Sequence, residues 1–369
     1  MKLSDFSVTK VLGAGKFSVI YEAICTSGRY KDTRFAIKRF FFHTNSSVVF
    51  ILHEREIFGR LMNGNAAPPF VSTLFWAIGS HETPCLITTL GSGYDLHDLL
   101  VSNGPLSEQD ARFYIAEIMC GLEYIHRKGI VHGDMKPENT LLSATGHVLI
   151  IDFDQSWDLT NPTTIQKAIK NVGTYDYMAP EVAKDNIITT KADIWCLGST
   201  MASLVSPPFR PDDADEATII QMAKEGKYNK SKFAFLPKAS MEFLNACLSP
   251  DFNLRPEIAD LRYLKFFRGI DWEKLGACQE EPPFKLSDLK FASSSGFSID
   301  LKSPILRSSI SGSKMPDLQA TYRTPFPSAL QYIPFDPEFN FTKEAMESYF
   351  KGYNFTNPLI KDDKTERTD

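Results

Sequence analysis

Apolar residues follow two rhythms along this chain. Near the N-terminus they come in short runs bounded by turn residues. Phe6 to Leu12 and Val19 to Cys25 flank a glycine-containing turn, and Phe35-Ala36-Ile37 is a brief apolar run that enters Lys38. Such runs predict strands. Val48 to Leu61 changes to helical spacing, with Ile51, Leu52, Ile57, Phe58 and Leu61 forming a mainly apolar face. This order predicts a small strand-rich unit with one helix.

From Leu106 onward the helical rhythm dominates. Ser107-Glu108-Gln109-Asp110 has the form of a capping box, and Ala111, Tyr114, Ile115, Ile118, Leu122 and Ile125 repeat at helical spacing until Gly129 stops the helix. A short apolar strand, Val148-Leu149-Ile150-Ile151, leads into Asp152. Further helices are expected over Lys191 to Leu204, Ala217 to Glu225 and Met241 to Cys247. Strands first and helices after predict an α+β fold. The pattern changes again near residue 286: Ser293 to Lys314 is serine-rich and poor in large apolar residues, which predicts a flexible linker with candidate phosphorylation sites. Aromatic residues return from Tyr332 to Phe355, and a simple solvated tail has no reason to carry them.

Composition narrows the function classes. A chain of 369 residues, 43% hydrophobic and 23% charged, can bury one large two-lobed core or two domains. A net charge of −5 offers no global basic field for nucleic acid or an anionic membrane. Cys25, Cys85, Cys120, Cys196, Cys247 and Cys278 form no CxxC pair, so they read as buried thiols in a reducing compartment rather than as a zinc site or disulfide framework. Met1 to Lys10 has no apolar signal core, and no run approaches the roughly 20 apolar residues of a membrane span. Membrane insertion is not expected. The cytoplasm is the expected location, with the nucleus as a second one.

The densest chemistry is Val131-His132-Gly133-Asp134-Met135-Lys136-Pro137-Glu138-Asn139. Asp134 can accept the proton of an attacking hydroxyl, Lys136 can neutralise a moving phosphoryl group, and Asn139 can hold a metal ion. Upstream, Gly13-Ala14-Gly15-Lys16-Phe17-Ser18 lies between two predicted strands, where glycines let backbone amides approach phosphate oxygens. A lone GxG is weak, and Ser18 stands at the third glycine position. Lys38 and Glu54 each read singly as solvated charges; together, downstream of a glycine turn, they form a phosphate-clamping lysine with its acidic partner. Asp152, in Asp152-Phe153-Asp154, can coordinate a magnesium ion. Thr174 can bond Asp134 and Lys136, Glu181 and Arg255 can form a buried ion pair, and Asp193 can open a helix that supports the catalytic loop.

These elements, in this order, resemble the eukaryotic protein kinases over roughly residues 6 to 267, a motif set that is specific as a whole. The Asp134-x-Lys136 pair and Gly173-Thr174 resemble the serine/threonine type. Phe266 to Leu275 with Pro282-Pro283-Phe284, then Phe335-Asp336-Pro337-Glu338-Phe339, then Phe350-Lys351-Gly352-Tyr353-Asn354-Phe355 resemble the tail of the AGC group. Gly15-Lys16-Phe17-Ser18, His53-Glu54-Arg55-Glu56 and Val172-Gly173-Thr174 resemble the phosphoinositide-dependent kinases of that group. No stretch is left for the lipid-binding PH domain of those kinases, so direct phosphoinositide control is not expected.

The resemblance implies a bilobal kinase domain over 1–267. Its strand-rich N-lobe has one main helix (about 1–90), and its C-lobe is large and mainly helical (about 91–267). A tail over 268–369 carries a serine-rich linker near 286–331 and a hydrophobic motif at 350–355. It implies ATP and Mg²⁺ as cofactors. Catalysis would rest on Asp134, Lys136, Lys38 and Glu54, and metal binding on Asn139 and Asp152. Gly13, Ala14, Gly15, Lys16, Phe17 and Ser18 would cover the phosphates. Leu12, Ile20, Ala36 and Leu141 would sandwich the base, Thr88 would be the gatekeeper, and Thr89, Leu90 and Gly91 the hinge. Asp95 would lie near the ribose and Glu138 near the nucleotide.

The implied function is MgATP-dependent phosphorylation of protein serine or threonine in intracellular signalling; the alternative is a pseudokinase or weakly active ATP-binding regulatory module. Protein substrates, other AGC kinases among them, are the expected partners of a monomer whose tail docks in cis.

Four departures bear on regulation. Gly133 stands where most such kinases carry an arginine that grips an activation-segment phosphate, and Lys170 stands at the usual phosphorylation position. Phosphorylation at that position is therefore not the expected switch. Asp154 replaces the glycine of the DFG motif, which restricts the backbone and adds negative charge near ATP. Asn354 replaces the phosphorylatable residue of the hydrophobic motif, so Phe350, Tyr353 and Phe355 are expected to dock without phosphate.

Overall fold

A computed structural model describes residues 1–14, 18–40, 45–64, 67–79, 84–160, 173–211, 213–287, 347–348 and 350–360. The loop positions Gly15, Lys16 and Phe17, the residues Lys170 and Val172, the serine-rich stretch Ser293 to Lys314 and Phe335 to Phe339 lie outside the described residues. The chain divides into two compact units.

The first unit comprises Met1–Ala67, Thr73–Gly93 and the described C-terminal residues. Its apolar runs become β1 (Phe6–Ala14), β2 (Ser18–Cys25), β3 (Arg34–Phe40), β4 (Leu74–Ile78) and β5 (Cys85–Thr88). Residues rich in Val, Ile, Phe and Tyr fit a pleated, half-buried surface. A two-residue strand, β10 (Phe355–Thr356), completes a six-stranded sheet in the order β1-β2-β3-β5-β4-β10. One face buries Phe6, Val8, Ala23, Phe35, Ile37, Trp76 and Ile87. Edge-to-face rings hold that face together, with Phe6–Phe35 centroids 5.9 Å apart and Phe35–Trp76 centroids 5.5 Å apart.

Helix α1 (Asn45–Leu61) begins three residues before the apolar pattern does. Ile51, Ile57, Phe58 and Leu61 are buried as the spacing predicts, but Leu52 is half-buried, while His53 and Glu54 are 1% exposed. The burial of Glu54 follows from its cationic partner, described below, which repetition of apolar residues does not register.

The second unit comprises Pro68–Ser72 and Tyr94–Phe291 and is mainly helical. After α2 (Leu96–Asn103) comes α3 (Glu108–Arg127). The Ser107 hydroxyl accepts the Asp110 amide at 3.1 Å and donates to the Asp110 carboxylate at 2.6 Å, so the reciprocal bond returns to the cap hydroxyl rather than to its amide. All six residues of the predicted apolar stripe of α3 are fully buried. Short strands β6 (Ile130–Val131), β7 (Thr140–Leu142), β8 (Val148–Ile150) and β9 (Trp157–Asp158) pair as β6–β9 and β7–β8. Helices α4 (Pro180–Asp185), α5 (Thr190–Val205), α6 (Glu216–Glu225), α7 (Lys238–Cys247), α8 (Ile258–Leu261) and α9 (Trp272–Gly276) follow. Helix α5 is buried from Ala192 to Val205, which makes it a core helix rather than an amphipathic one.

Five of the six free cysteines are buried; Cys278 is exposed, just beyond α9, where its backbone turns to a φ of +53°. Among the described residues no helix is long and apolar enough to cross a membrane.

Candidate active site

Strand register places the first unit's candidate residues on a common face. Ile20 lies opposite Lys38 across β2 and β3, and Ala36 lies opposite Thr88 across β3 and β5. Directly opposed residues share a face, and so do Ala36 and Lys38 two positions apart. Leu12 is the extra residue of a bulge between the pairs Val11–Tyr21 and Gly13–Ile20. Gly13 and Ser18 are buried where β1 and β2 approach the undescribed loop, and Ala14 ends β1. Thr89 exchanges its backbone amide and its hydroxyl with Thr73, both at 3.0 Å, and Leu90 and Gly91 follow, half-buried.

Lys38 Nζ donates to both carboxylate oxygens of Glu54, at 2.8 and 2.9 Å. The Glu54 side chain is 2% exposed and that of Lys38 17%. A carboxylate this buried needs its cation, so the pair fixes the direction of the lysine.

The second unit holds the loop around Asp134 on one buried carboxylate. Asp193, in the first turn of α5, accepts the backbone amides of His132 at 2.8 Å and Gly133 at 2.9 Å, and the His126 ring at 2.8 Å. Burial opposes its ionisation, but the His126 hydrogen bond and charge, with the Gly133 amide, hold its pKa below the usual carboxylate value. Gly133 takes a φ of +82°, a conformation that suits glycine.

Asp134, 8% exposed, gathers three donors. Its Oδ1 accepts the Thr174 amide at 2.7 Å; its Oδ2 accepts Lys136 Nζ at 2.8 Å and Asn139 Nδ2 at 3.0 Å. Lys136 also donates to the Thr174 hydroxyl at 2.6 Å. Burial pulls the Lys136 pKa down, and the Asp134 carboxylate more than reverses this, so the ammonium sits above its ordinary value. Three donors on two oxygens fix the Asp134 plane and leave Oδ1 capacity for one more hydrogen.

The β7–β8 hairpin brings Asn139 beside Asp152: Thr140 pairs with Ile150, and the Ile151 amide donates to the Asn139 carbonyl at 3.1 Å. Asn139 spends its amide nitrogen on Asp134, at 2.7 Å to the carbonyl and 3.0 Å to the carboxylate, which turns its side-chain oxygen the other way. Asp152 has a φ of +66°, a left-handed conformation that costs a non-glycine residue about 1–3 kcal/mol. An amide oxygen and a carboxylate are hard donors suited to Mg²⁺, which takes one or two protein ligands and completes its shell with phosphates and water. Among the described residues no group of three or more His, Cys, Asp or Glu could hold a metal ion.

Asp95 caps α2, accepting the Asp98 amide at 2.8 Å while Asp98 accepts the Asp95 amide at 3.2 Å. Burial pushes its pKa up to about 7, and the nearby charges of Asp98 and Glu138 add to the rise. Leu141 forms a backbone bridge with Asp95. Glu138 Oε2 is buried without a hydrogen-bond partner, and its Oε1 lies 4.0 Å from His97.

Beyond the site, Glu181 and Arg255 form a fully buried fork at 2.6 and 2.8 Å, and Arg255 also donates to the Lys191 and Ser249 carbonyls. The sequence reading assigns no contact to two further cations, Arg55, named there only within a family motif, and Arg210. Arg55 and Arg210 both bond to backbone carbonyls, which carry no residue identity and leave no pattern.

In comparisons with known proteins, the protein kinase domain family matches residues 6–267. The chain is 31% identical over 301 residues to 3-phosphoinositide-dependent protein kinase 1 of Arabidopsis thaliana, covering 76% of this chain and 58% of that protein. It is 32% identical over 289 residues to the Homo sapiens protein of the same name, covering 76% and 50%. A serine/threonine protein kinase of Aspergillus fumigatus, ypkA, is 28% identical over 315 residues, covering 82% and 47%. The chain thus spans about half the length of the curated relatives it matches.

Proposed function

The chain belongs to the protein kinase family, in its serine/threonine-specific AGC group, and from that premise we propose that it transfers the γ-phosphoryl group of ATP to serine or threonine hydroxyls of proteins. The observation that carries this reading is Asp134, held in one plane by Thr174, Lys136 and Asn139. A substrate hydroxyl gives its proton to the Asp134 carboxylate as its oxygen bonds to the γ-phosphorus. The bond from that phosphorus to the β–γ bridging oxygen breaks, and ADP leaves. Lys136 stays protonated beside the reacting group and offsets charge as it develops. Lys38, held by Glu54, orients the α- and β-phosphates. Asn139 and Asp152 would hold Mg²⁺, which when bound neutralises phosphate charge.

Purified protein with Mg²⁺, labelled ATP and a basic serine peptide tests the reading, with Asp134→Asn as control. The wild type labels the peptide and the variant loses about 10³-fold or more, as expected when a positioned proton acceptor is removed. Equal labelling by both overturns the reading and leaves an ATP-binding regulatory module.

The acidic pair Asp95 and Glu138 favours basic residues before the target hydroxyl, and other AGC kinases are candidate substrates through their activation segments. Control does not run through a phosphate at position 170, because Lys170 has no hydroxyl to carry one and Gly133 has no side-chain cation to receive it. The hydrophobic motif docks in cis on a monomer. Support comes from β10, which pairs with β4, and from Asn354 Oδ1, which accepts the Gly79 amide at 3.1 Å with no charge required. Five buried free thiols favour a cytoplasmic signalling role.

A further inference from the structure

Arg210 is 1% exposed, yet among the described residues it has no carboxylate within ion-pair distance. Its guanidinium spends its donors on backbone carbonyls. Nη1 donates to Tyr175 and, at 2.6 Å, to Asp176; Nη2 donates to Met178 at 3.3 Å; Nε donates to Lys227 at 3.2 Å. The plane lies over the Phe209 ring, 5.3 Å from its centroid. Burial lowers its pKa to about 10, which leaves it cationic at neutral pH. Burying an unpaired cation is costly, and a carbonyl on each of its three nitrogens offsets the cost only if that geometry is kept.

Three of the four carbonyls belong to residues 175–178, the residues that follow Thr174. Thr174 gives its amide to Asp134 and takes a hydrogen bond from Lys136. Two further bonds tighten the turn itself: Tyr177 N–H to Thr174 at 2.9 Å and Met178 N–H to Tyr175 at 3.4 Å. The strap from the proton acceptor to α4 is therefore tied at one end by Asp134 and along its length by Arg210. A peptide that presents a hydroxyl to Asp134 must run along the groups beside Asp134, and this strap is one of them.

We propose that Arg210 is a positioning residue for the protein substrate: its guanidinium fixes the backbone of residues 175–178 against which the acceptor peptide lies. It touches neither ATP nor the reacting atoms and acts through that backbone alone. A lysine keeps the charge but cannot span three carbonyls. The inference rests on the kinase reading above, and its test separates the two.

Arg210→Lys and Arg210→Gln are compared with wild type for thermal stability, for KM of ATP and of a serine peptide with preceding arginines, and for direct binding of that peptide. The expected result is a 5- to 10-fold rise in peptide KM and Kd with ATP KM within 2-fold, as a loss of about 1–1.4 kcal/mol gives. Peptide binding that is lost in the variants of a wild type unable to label the peptide refutes the kinase reading and sustains the clamp. Equal changes for ATP and peptide, no change in either, a wild type that does not bind the peptide, or two variants that fail to fold each overturn it.

Discussion

The carbonyl oxygen of Gly133 lies 2.6 Å from the point that a β-carbon on Gly173 would occupy. No ordinary carbon–oxygen contact is that short, and Gly173 also holds a φ of +98°. The two glycines let the loop that carries Asp134 and the start of the Thr174 strap touch backbone to backbone. Both of the Thr174 bonds, to Asp134 and to Lys136, depend on that approach.

Gly173→Ala should therefore damage catalysis more than folding. The added methyl pushes the strap away from Gly133, with a strain of about 1–3 kcal/mol. A shift near 1 Å at Asp134 is worth about 100-fold in rate. Steady-state kinetics beside a melting curve checks this: a variant with unchanged kcat would show that the close approach has no catalytic consequence.

Arg255→Met should cost about 3–5 kcal/mol of stability, because it leaves the Glu181 carboxylate buried without its cation. The Arg255 side chain is 0% exposed and that of Glu181 4%, so water cannot replace the lost partner. Adding Glu181→Gln to Arg255→Met should recover part of the loss, since the stranded charge is gone. Chemical denaturation of the single and double variants measures this, and strict additivity would contradict it.

Much of the architecture could be read from residue spacing, and the exceptions have a common physical origin. Strands β1 to β3 and the stripe of α3 are set by local periodicity, so they were visible in the sequence. So were the Lys38–Glu54 and Glu181–Arg255 pairs, because both partners carry chemical identity. Strand β10 was not visible: two residues have no period, and its existence depends on the edge of β4, remote in the chain. The buried face of α1 differs at Leu52 and Glu54 because an ion pair can bury a charge while an apolar side chain stays half-exposed. Arg210 and Arg55 bond to carbonyls, and every residue has one.

Arg55→Ala should release the hydrophobic motif. Arg55 donates to the carbonyls of Tyr353 at 2.9 Å, Gly352 at 3.1 Å and Asn354 at 3.3 Å, and its guanidinium lies 5.5 Å from the Phe355 ring centroid. Loss of about 2 kcal/mol predicts roughly 30-fold faster amide exchange over residues 350–357. Asn354→Asp should leave exchange within about 3-fold, because the carboxylate still accepts the Gly79 amide. Deleting residues 345–369 should lower stability or activity. Unaltered exchange in Arg55→Ala would remove the arginine from the docking account.

Asp95 gives the protein a readable pH dependence. Its pKa rises from an ordinary 3.8 to about 7, with burial the main cause and Asp98 and Glu138 adding to it. Between those values the folded state holds a proton that the unfolded chain has released. Stability therefore falls as pH rises through the window and levels off above about 7. Asp95→Asn keeps the cap on α2, since asparagine caps as well as aspartate, and removes the titration. The wild-type melting temperature should thus fall relative to the variant between pH 5 and pH 7, and the difference should stay constant above pH 8. The same ionisation should lower the KM of an arginine-containing peptide as pH rises from 6 to 8, in the wild type only. Parallel melting curves across pH 5 to 8 would show that Asp95 stays ionised in the folded protein, and the peptide KM would then have no such pH dependence.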